Sequence, residues 1–118
     1  MPTMQEIFFE RQVAAYERLI EKIVAFDVVE VDEAKTVTRE MLDVFIGILP
    51  EFARGSMFFD NKTTEIFKQR ILVPFLNDDF DMSPSNELWY DNVRHRLMEE
   101  VVVSIRDFFK SKFPDLYE

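Results

Sequence analysis

The sequence predicts an all-α protein, and we expect a four-helix antiparallel bundle in up-down-up-down order with a long C-terminal helix. Apolar residues recur at steps of three and four over long stretches, which is the period of one face of a helix. The 118 residues include only two glycines and five prolines, so few positions suit the tight hairpins of a β-protein. With 47% hydrophobic residues and 13 phenylalanines, the chain is expected to form one domain, residues 1–118.

The first helix is predicted over residues 3–26. Its apolar residues form two neighbouring stripes, and together they make the wide apolar face of a helix that packs in a bundle. Thr3 is a suitable N-cap, and Glu6 three residues later completes the pattern of a capping box. The segment DVVEVDE that follows alternates valines with acids but has no evident partner strand, so we interpret it as a connector.

The second and third helices are predicted from the apolar periodicity between the two acidic windows. The second helix is expected to be capped by Asp32 or Thr36, to kink or end at Pro50, and to close with Gly55 as a left-handed cap. The third is expected to begin near Asn61 or Thr63 and to run to about residue 77.

The fourth helix is the longest, with Ser83 as its cap, Pro84 in its first turn and an apolar stripe that continues to residue 113. The tail after Pro114 is expected to fold back. Connectors of roughly five to ten residues favour sequential antiparallel packing. A globin-like or crossed arrangement of helices is the alternative fold, because prolines interrupt two of the helices.

Two acidic windows lie in the first and third connectors, which an up-down-up-down bundle places at the same end. Neither window contains Lys or Arg, so this end is expected to bind a basic partner or, loosely, a cation. The alternative is helix capping, because acids near a helix N-terminus are stabilised by the helix dipole. The carboxylates predicted to bind the partner are those of Asp27, Glu30, Asp32, Glu33, Asp78, Asp79, Asp81 and Glu87.

The aromatic content is high for a four-helix core of this size. Adjacent phenylalanines at 8–9, 58–59 and 108–109 diverge by about 100° on a helix, so one member of each pair needs a second surface to pack against. We consider three interpretations: a Phe-rich core, a pocket for an apolar ligand, or a patch that binds a partner or a second copy. The candidates for the patch or pocket are Phe58, Phe59, Trp89, Phe108 and Phe109.

No catalytic set is evident in the sequence, and we predict neither an enzyme nor a cofactor. The chain has no cysteine and one histidine, and its only glycines are Gly47 and Gly55, which excludes a glycine-rich phosphate loop. His95 and Glu99 are too few ligands for a helical metal site. The second acidic window fails as a calcium loop because Pro84 stands where glycine is required.

The net charge of −9 opposes direct binding to nucleic acid and to anionic membranes. The sequence has no pattern of a signal peptide or spanning helix, and we expect a cytoplasmic protein. The leading hypothesis is a non-enzymatic protein-interaction module: an adaptor, regulator or inhibitor, for example one that blocks a nucleic-acid-binding enzyme with its acidic surface. The alternative is a small-molecule sensor that binds an apolar ligand between Phe-lined helices.

Overall fold

The computed structural model describes residues 1–83 and 85–116, and within them it is all-α with no strand. The prediction of an all-α protein with four helical segments is therefore confirmed. Four helical segments follow one another, the last two each interrupted by one π-helical turn. The segments are α1 (Met4–Asp27), α2 (Arg39–Gly55), a third segment of α3 (Asn61–Phe67), a π turn (Lys68–Leu72) and α4 (Val73–Leu76), and a fourth of α5 (Trp89–His95), a π turn (Arg96–Val101) and α6 (Val102–Lys112). A short 3₁₀ turn, Pro114–Leu116, follows.

Helix α1 matches its prediction at both ends to within one residue. The Thr3 side chain accepts a hydrogen bond from the Glu6 backbone N–H at 3.1 Å and caps the helix. Its buried stripe includes Leu19, Ile23 and Phe26, each with no exposed surface. The connector that follows is irregular, as expected for DVVEVDE.

Helix α2 begins later than predicted, and neither Asp32 nor Thr36 caps it. The cap is Thr38, whose side chain accepts from the Met41 N–H at 3.2 Å. The Asp32 carboxylate instead accepts from the Thr36 N–H at 2.9 Å, which closes a local turn within the connector. Val37 is buried but precedes the first residue of the helix. This apolar residue therefore belongs to the packed connector and not to the apolar face of α2.

The end of α2 also differs from the prediction. Pro50 lies inside the helix without ending it, and Gly55 is its last residue, with no positive φ. Gly55 is therefore not a left-handed cap. A Cβ atom at this position would lie 2.5 Å from Cζ of Phe59, so glycine is required by the close approach of this ring.

The third segment begins at Asn61 as predicted, with Asp60 as its cap. Pro74 has no N–H to donate to the carbonyl of Arg70, four residues earlier. Arg96 of the fourth segment donates from Nη1 to this carbonyl at 2.9 Å, and the Arg70 guanidinium pairs with Glu100 at 2.8 Å. The two π turns are thus joined by charged side chains.

The fourth segment begins at Trp89, so the prediction that Ser83 caps it is wrong. In residues 81–83 and 85–88, side chains bond to nearby backbone: Asp81 accepts from the Ser83 N–H, and Asn86 accepts from the Leu88 N–H. These local bonds compete with the helix. The predictions for Pro84 and for the end of the tail lie outside the described residues.

One hydrophobic core joins all four segments, and aromatic rings dominate it. Phe52 and Phe67 stack with ring centroids 4.1 Å apart. Thr63 and Ser104 share a buried hydroxyl–hydroxyl hydrogen bond of 2.7 Å between the third and fourth segments. In the described part of the chain, no helix has the length and apolar content that crossing a membrane requires.

Candidate interaction surface

An aromatic cluster joins the end of α1, the middle of α2, the third connector and the start of α5 beside the predicted acidic site. Phe45 of α2 is the centre of this cluster: its ring lies 6.1 Å from that of Phe26, 5.6 Å from Trp89 and 6.3 Å from Phe80. Phe26 lies in the last turn of α1, and Phe80 lies in the third connector. We call the surface above this cluster the connector end, formed by residues 27–35, 76–83 and 85–91.

Tyr90 attaches the fourth segment to the end of α1. Its hydroxyl donates to the carbonyl oxygens of Phe26 at 2.6 Å and Asp27 at 3.0 Å. Carbonyls at a helix C-terminus lack intrahelical donors. The Phe26 carbonyl also accepts from the Val29 N–H at 3.3 Å, whereas for the Asp27 carbonyl the Tyr90 hydroxyl is the one donor among the described residues. Burial, followed by the charge of Asp27, raises the pKa of Tyr90.

Two ion pairs also cross the connector end. Arg94 donates to the Asp27 carboxylate, and Lys35 donates from Nζ to Asp91 at 2.9 Å. The hydrogen bond to Asp91 is the main cause of a raised Lys35 pKa, and nearby Glu87 contributes to it. Two cations therefore lie beside the acidic windows, and each neutralises one carboxylate.

The remaining carboxylates divide into two groups. Asp32 and Asp81 accept from backbone N–H groups of their own turns, and the Ser83 hydrogen bonds lower the pKa of Asp81. The other five side chains are exposed and take part in no ion pair or hydrogen bond among the described residues. These five are Glu30, Glu33, Asp78, Asp79 and Glu87.

Helix capping does not explain these acids. The helices that begin at the connector end are α2, which is capped by Thr38, and α5, which has no side-chain cap bond. None of the eight predicted carboxylates therefore caps a helix. The acids in the first turns of these two helices are Glu40 and Asp91, outside the predicted set.

Large apolar side chains are exposed among the carboxylates. Val28 is 68% exposed, Leu76 68% and Leu88 64%, and Val31 is also exposed. Apolar side chains surrounded by a polar rim are the usual composition of a protein interface. These four side chains were not among the predicted site residues, although the alternation of valine and acid in residues 27–33 was a signal for the two valines.

A small cavity of about 150 Å³ opens at the edge of the connector end. Asp79, Asp81 and Arg96 are among the residues that line it, together with Trp89. The Trp89 indole N–H is buried and has no hydrogen-bond partner in the described structure. The Arg96 guanidinium lies 5.0 Å from the ring centroid of Phe80, and burial lowers its pKa.

The predicted aromatic patch is divided between the core and the opposite end of the molecule. Phe59 and Trp89 are buried, so they belong to the core. Phe58, Phe108 and Phe109 are half-buried. Phe108 and Phe109 pack on the Tyr16 ring at 5.2 and 5.5 Å, so the five residues do not form one exposed patch.

Tyr16 itself holds the second connector in place. Its hydroxyl accepts from the Asp60 N–H at 2.7 Å and donates to the Asp60 carboxylate, and burial strongly raises its pKa. Gln12 donates to the Phe58 carbonyl at 2.7 Å from the same face of α1. We interpret this buried polar group as structural, because two of its bonds hold the backbone of Phe58 and Asp60 in the turn before α3.

Within residues 1–83 and 85–116, no group of three or more potential ligand side chains is close enough to hold a metal ion. His95 is exposed and takes part in none of the described hydrogen bonds or ion pairs. Comparison of the chain with protein-family models, with curated proteins and with solved structures found no match.

Proposed function

We propose that the protein is a non-enzymatic interaction module that binds a basic protein through the connector end. One observation carries the proposal: five exposed carboxylates without partners among the described residues share the two connectors with exposed apolar side chains, and helix capping does not account for them. Charged rims steer association and select partners, while the apolar centre contributes affinity when it is buried.

The up-down-up-down order is part of this proposal, because it places both acidic windows at one end. The bonds from Tyr90 to the end of α1 and the Lys35–Asp91 pair support it. We further propose a cytoplasmic protein that acts as an adaptor, regulator or inhibitor. Its acidic surface favours a partner whose own basic surface binds a polyanion, such as a nucleic-acid-binding enzyme.

The alternative expectation, a sensor with an apolar ligand between Phe-lined helices, has weaker support. Phe52 and Phe67 are in stacking contact, and the edges of Phe26 and Trp89 pack at 5.9 Å. At these positions the rings fill the space between helices with one another. A ligand of defined mass that stays bound to the protein in native mass spectrometry would favour the sensor over the interaction module.

The test compares affinity capture by three forms of the protein, with partners quantified by mass spectrometry. Asp78→Asn/Asp79→Asn removes two charges from the connector end. Asparagine suits position 78 because this residue has a φ of 56°, a region that asparagine tolerates. The matched control, Glu17→Gln/Glu65→Gln, removes two charges from exposed helix positions.

We expect the wild type and the control to capture the same basic protein and the connector-end variant to capture at least fivefold less. Higher salt should weaken the wild-type interaction, because exposed charges are screened. Equal capture by all three forms, or a captured partner without a basic surface, would contradict the proposal.

A further inference from the structure

The small cavity at the edge of the connector end is lined by a residue with a buried, unpaired donor. Trp89 lines this cavity of about 150 Å³ and is only 1% exposed. Its indole N–H, which can donate but not accept, has no hydrogen-bond partner among the described residues. The rings that pack on this indole are those of Phe26 and Phe45, which carry no oxygen or nitrogen acceptor. We therefore expect the acceptor for this N–H to enter from the cavity.

A second donor group lines the same cavity. Arg96 donates from Nη1 to the Arg70 carbonyl at 2.9 Å, and the structure describes no other hydrogen bond from its guanidinium. The Glu100 carboxylate pairs with Arg70, and Arg96 takes part in none of the described ion pairs. A guanidinium and an indole N–H at one cavity suit a carboxylate, because a charged donor strengthens the hydrogen bonds that its oxygens accept.

The cavity also has acidic lining residues. Asp79 is exposed and takes part in no ion pair or hydrogen bond among the described residues. Asp81 accepts from the Ser83 N–H, and a carboxylate has further sites at which it can accept. Among the described residues, the charged side chains of the lining are thus one guanidinium and two carboxylates.

We propose that this cavity binds a small zwitterion with one carboxylate and one ammonium group, of the class of free amino acids with short side chains. A simple anion would be repelled by Asp79 and Asp81. A simple cation would be repelled by Arg96, and it would leave the indole N–H without an acceptor. In a zwitterion, the carboxylate accepts from Trp89 and Arg96. The ammonium group donates to Asp79 and Asp81.

The volume of the cavity limits the size of the ligand. A water molecule occupies about 30 Å³ in the liquid, so the cavity has room for roughly five, which is close to the roughly five to seven non-hydrogen atoms of glycine, alanine and serine. Amino acids with large side chains exceed this volume. A ligand with so few atoms makes few contacts, so we expect a dissociation constant of about 0.1–1 mM.

Nuclear magnetic resonance of the ¹⁵N-labelled full chain tests this proposal, because Trp89 is the only tryptophan and its indole N–H gives a single signal. Glycine, alanine and serine are each titrated to about 10 mM, ten times the upper limit of the expected dissociation constant. Acetate and methylammonium, which each carry one of the two charges, are the ligand controls. We expect at least one amino acid to shift the indole signal to saturation, and both controls to bind at least tenfold more weakly.

Two variants test where the ligand binds. Asp79→Asn removes a charge from the cavity lining, whereas Glu87→Gln, the matched control, removes an exposed charge of the connector end outside this lining. We expect affinity to fall at least fivefold for Asp79→Asn and less than twofold for Glu87→Gln, with otherwise unchanged spectra.

An indole signal that none of the three amino acids shifts would overturn the proposal. Equal binding of acetate and the amino acids, or equal affinities of the two variants, would also overturn it. The titration contains no protein partner, so this site and the proposed function can fail independently.

Discussion

The two glycines of α2 provide a sharp test of the packing, because the same substitution should have opposite effects at the two positions. Gly47→Ala places a methyl group where no atom lies within 4 Å. Alanine loses less backbone entropy than glycine in a helix, so we expect a gain in stability of about 0.5–1 kcal/mol.

Gly55→Ala should instead destabilise the protein. The new Cβ would lie 2.5 Å from Cζ of Phe59, and this ring is held between Tyr16 at 4.9 Å and Phe52 at 5.8 Å. Overpacking costs about 1–3 kcal/mol, which exceeds the gain of up to about 1 kcal/mol in helix propensity. We expect a net loss of about 1 kcal/mol.

Urea unfolding followed by circular dichroism at 222 nm measures both variants. The two free energies of unfolding should differ by about 2 kcal/mol, with unchanged urea dependence and melting temperatures about 5–10 °C apart. A Gly55→Ala variant that equals or exceeds the wild type in stability would refute the close packing of Phe59 against α2.

Three further predictions concern hydrogen bonds. Tyr90→Phe should lower the free energy of unfolding in urea by about 1–2 kcal/mol, because the Asp27 carbonyl loses its donor. Leu88→Ala, at a neighbouring exposed position, is the control, and a loss for Tyr90→Phe no larger than that of the control would contradict this role of the hydroxyl. Burial raises the pKa of Tyr16 and Tyr90 above the ordinary value near 10, so the free energy of unfolding should be unchanged below pH 10 and fall above it. Absorbance at 295 nm, which follows ionisation of the phenols, should show that both titrate at a higher pH than free tyrosine. Titration of both at the ordinary pH would be contrary evidence. Thr63→Val should lower the free energy of unfolding by about 1–2 kcal/mol, because it leaves the Ser104 hydroxyl unpaired. The double variant Thr63→Val/Ser104→Ala should recover most of this loss. If the effects of the two single substitutions simply add in the double variant, that result would argue against the bond.

The helical segments could be predicted from the sequence wherever the apolar period and a cap coincide. Thr3 and the stripe through Ile23 specify α1 from local information. The starts of α2 and of the fourth segment were missed because Asp32, Asp81 and Asn86 bond to nearby backbone and close turns where a helix was expected. From the sequence, such residues are equally suited to cap a helix or to close a turn.

The acidic composition of the connector end was evident in the sequence, but the distribution of its charges was not. Arg94 and Lys35 pair with residues more than fifty positions away, and periodicity contains no information about such contacts. The exposure of Leu76 and Leu88 was missed because it depends on where the helical segments end. Phe59 and Trp89 were assigned to a patch, although packing places both in the core.

Binding of a protein partner at the connector end can be tested by amide hydrogen exchange of the protein, alone and in complex with the partner identified by capture. We predict slower exchange in the complex at residues 28–33 and 76–81, because binding there excludes water from the exposed valines, Leu76 and the unpaired carboxylates. Protection confined to residues 4–12 and 105–113, with unchanged exchange at the connector end, would contradict it.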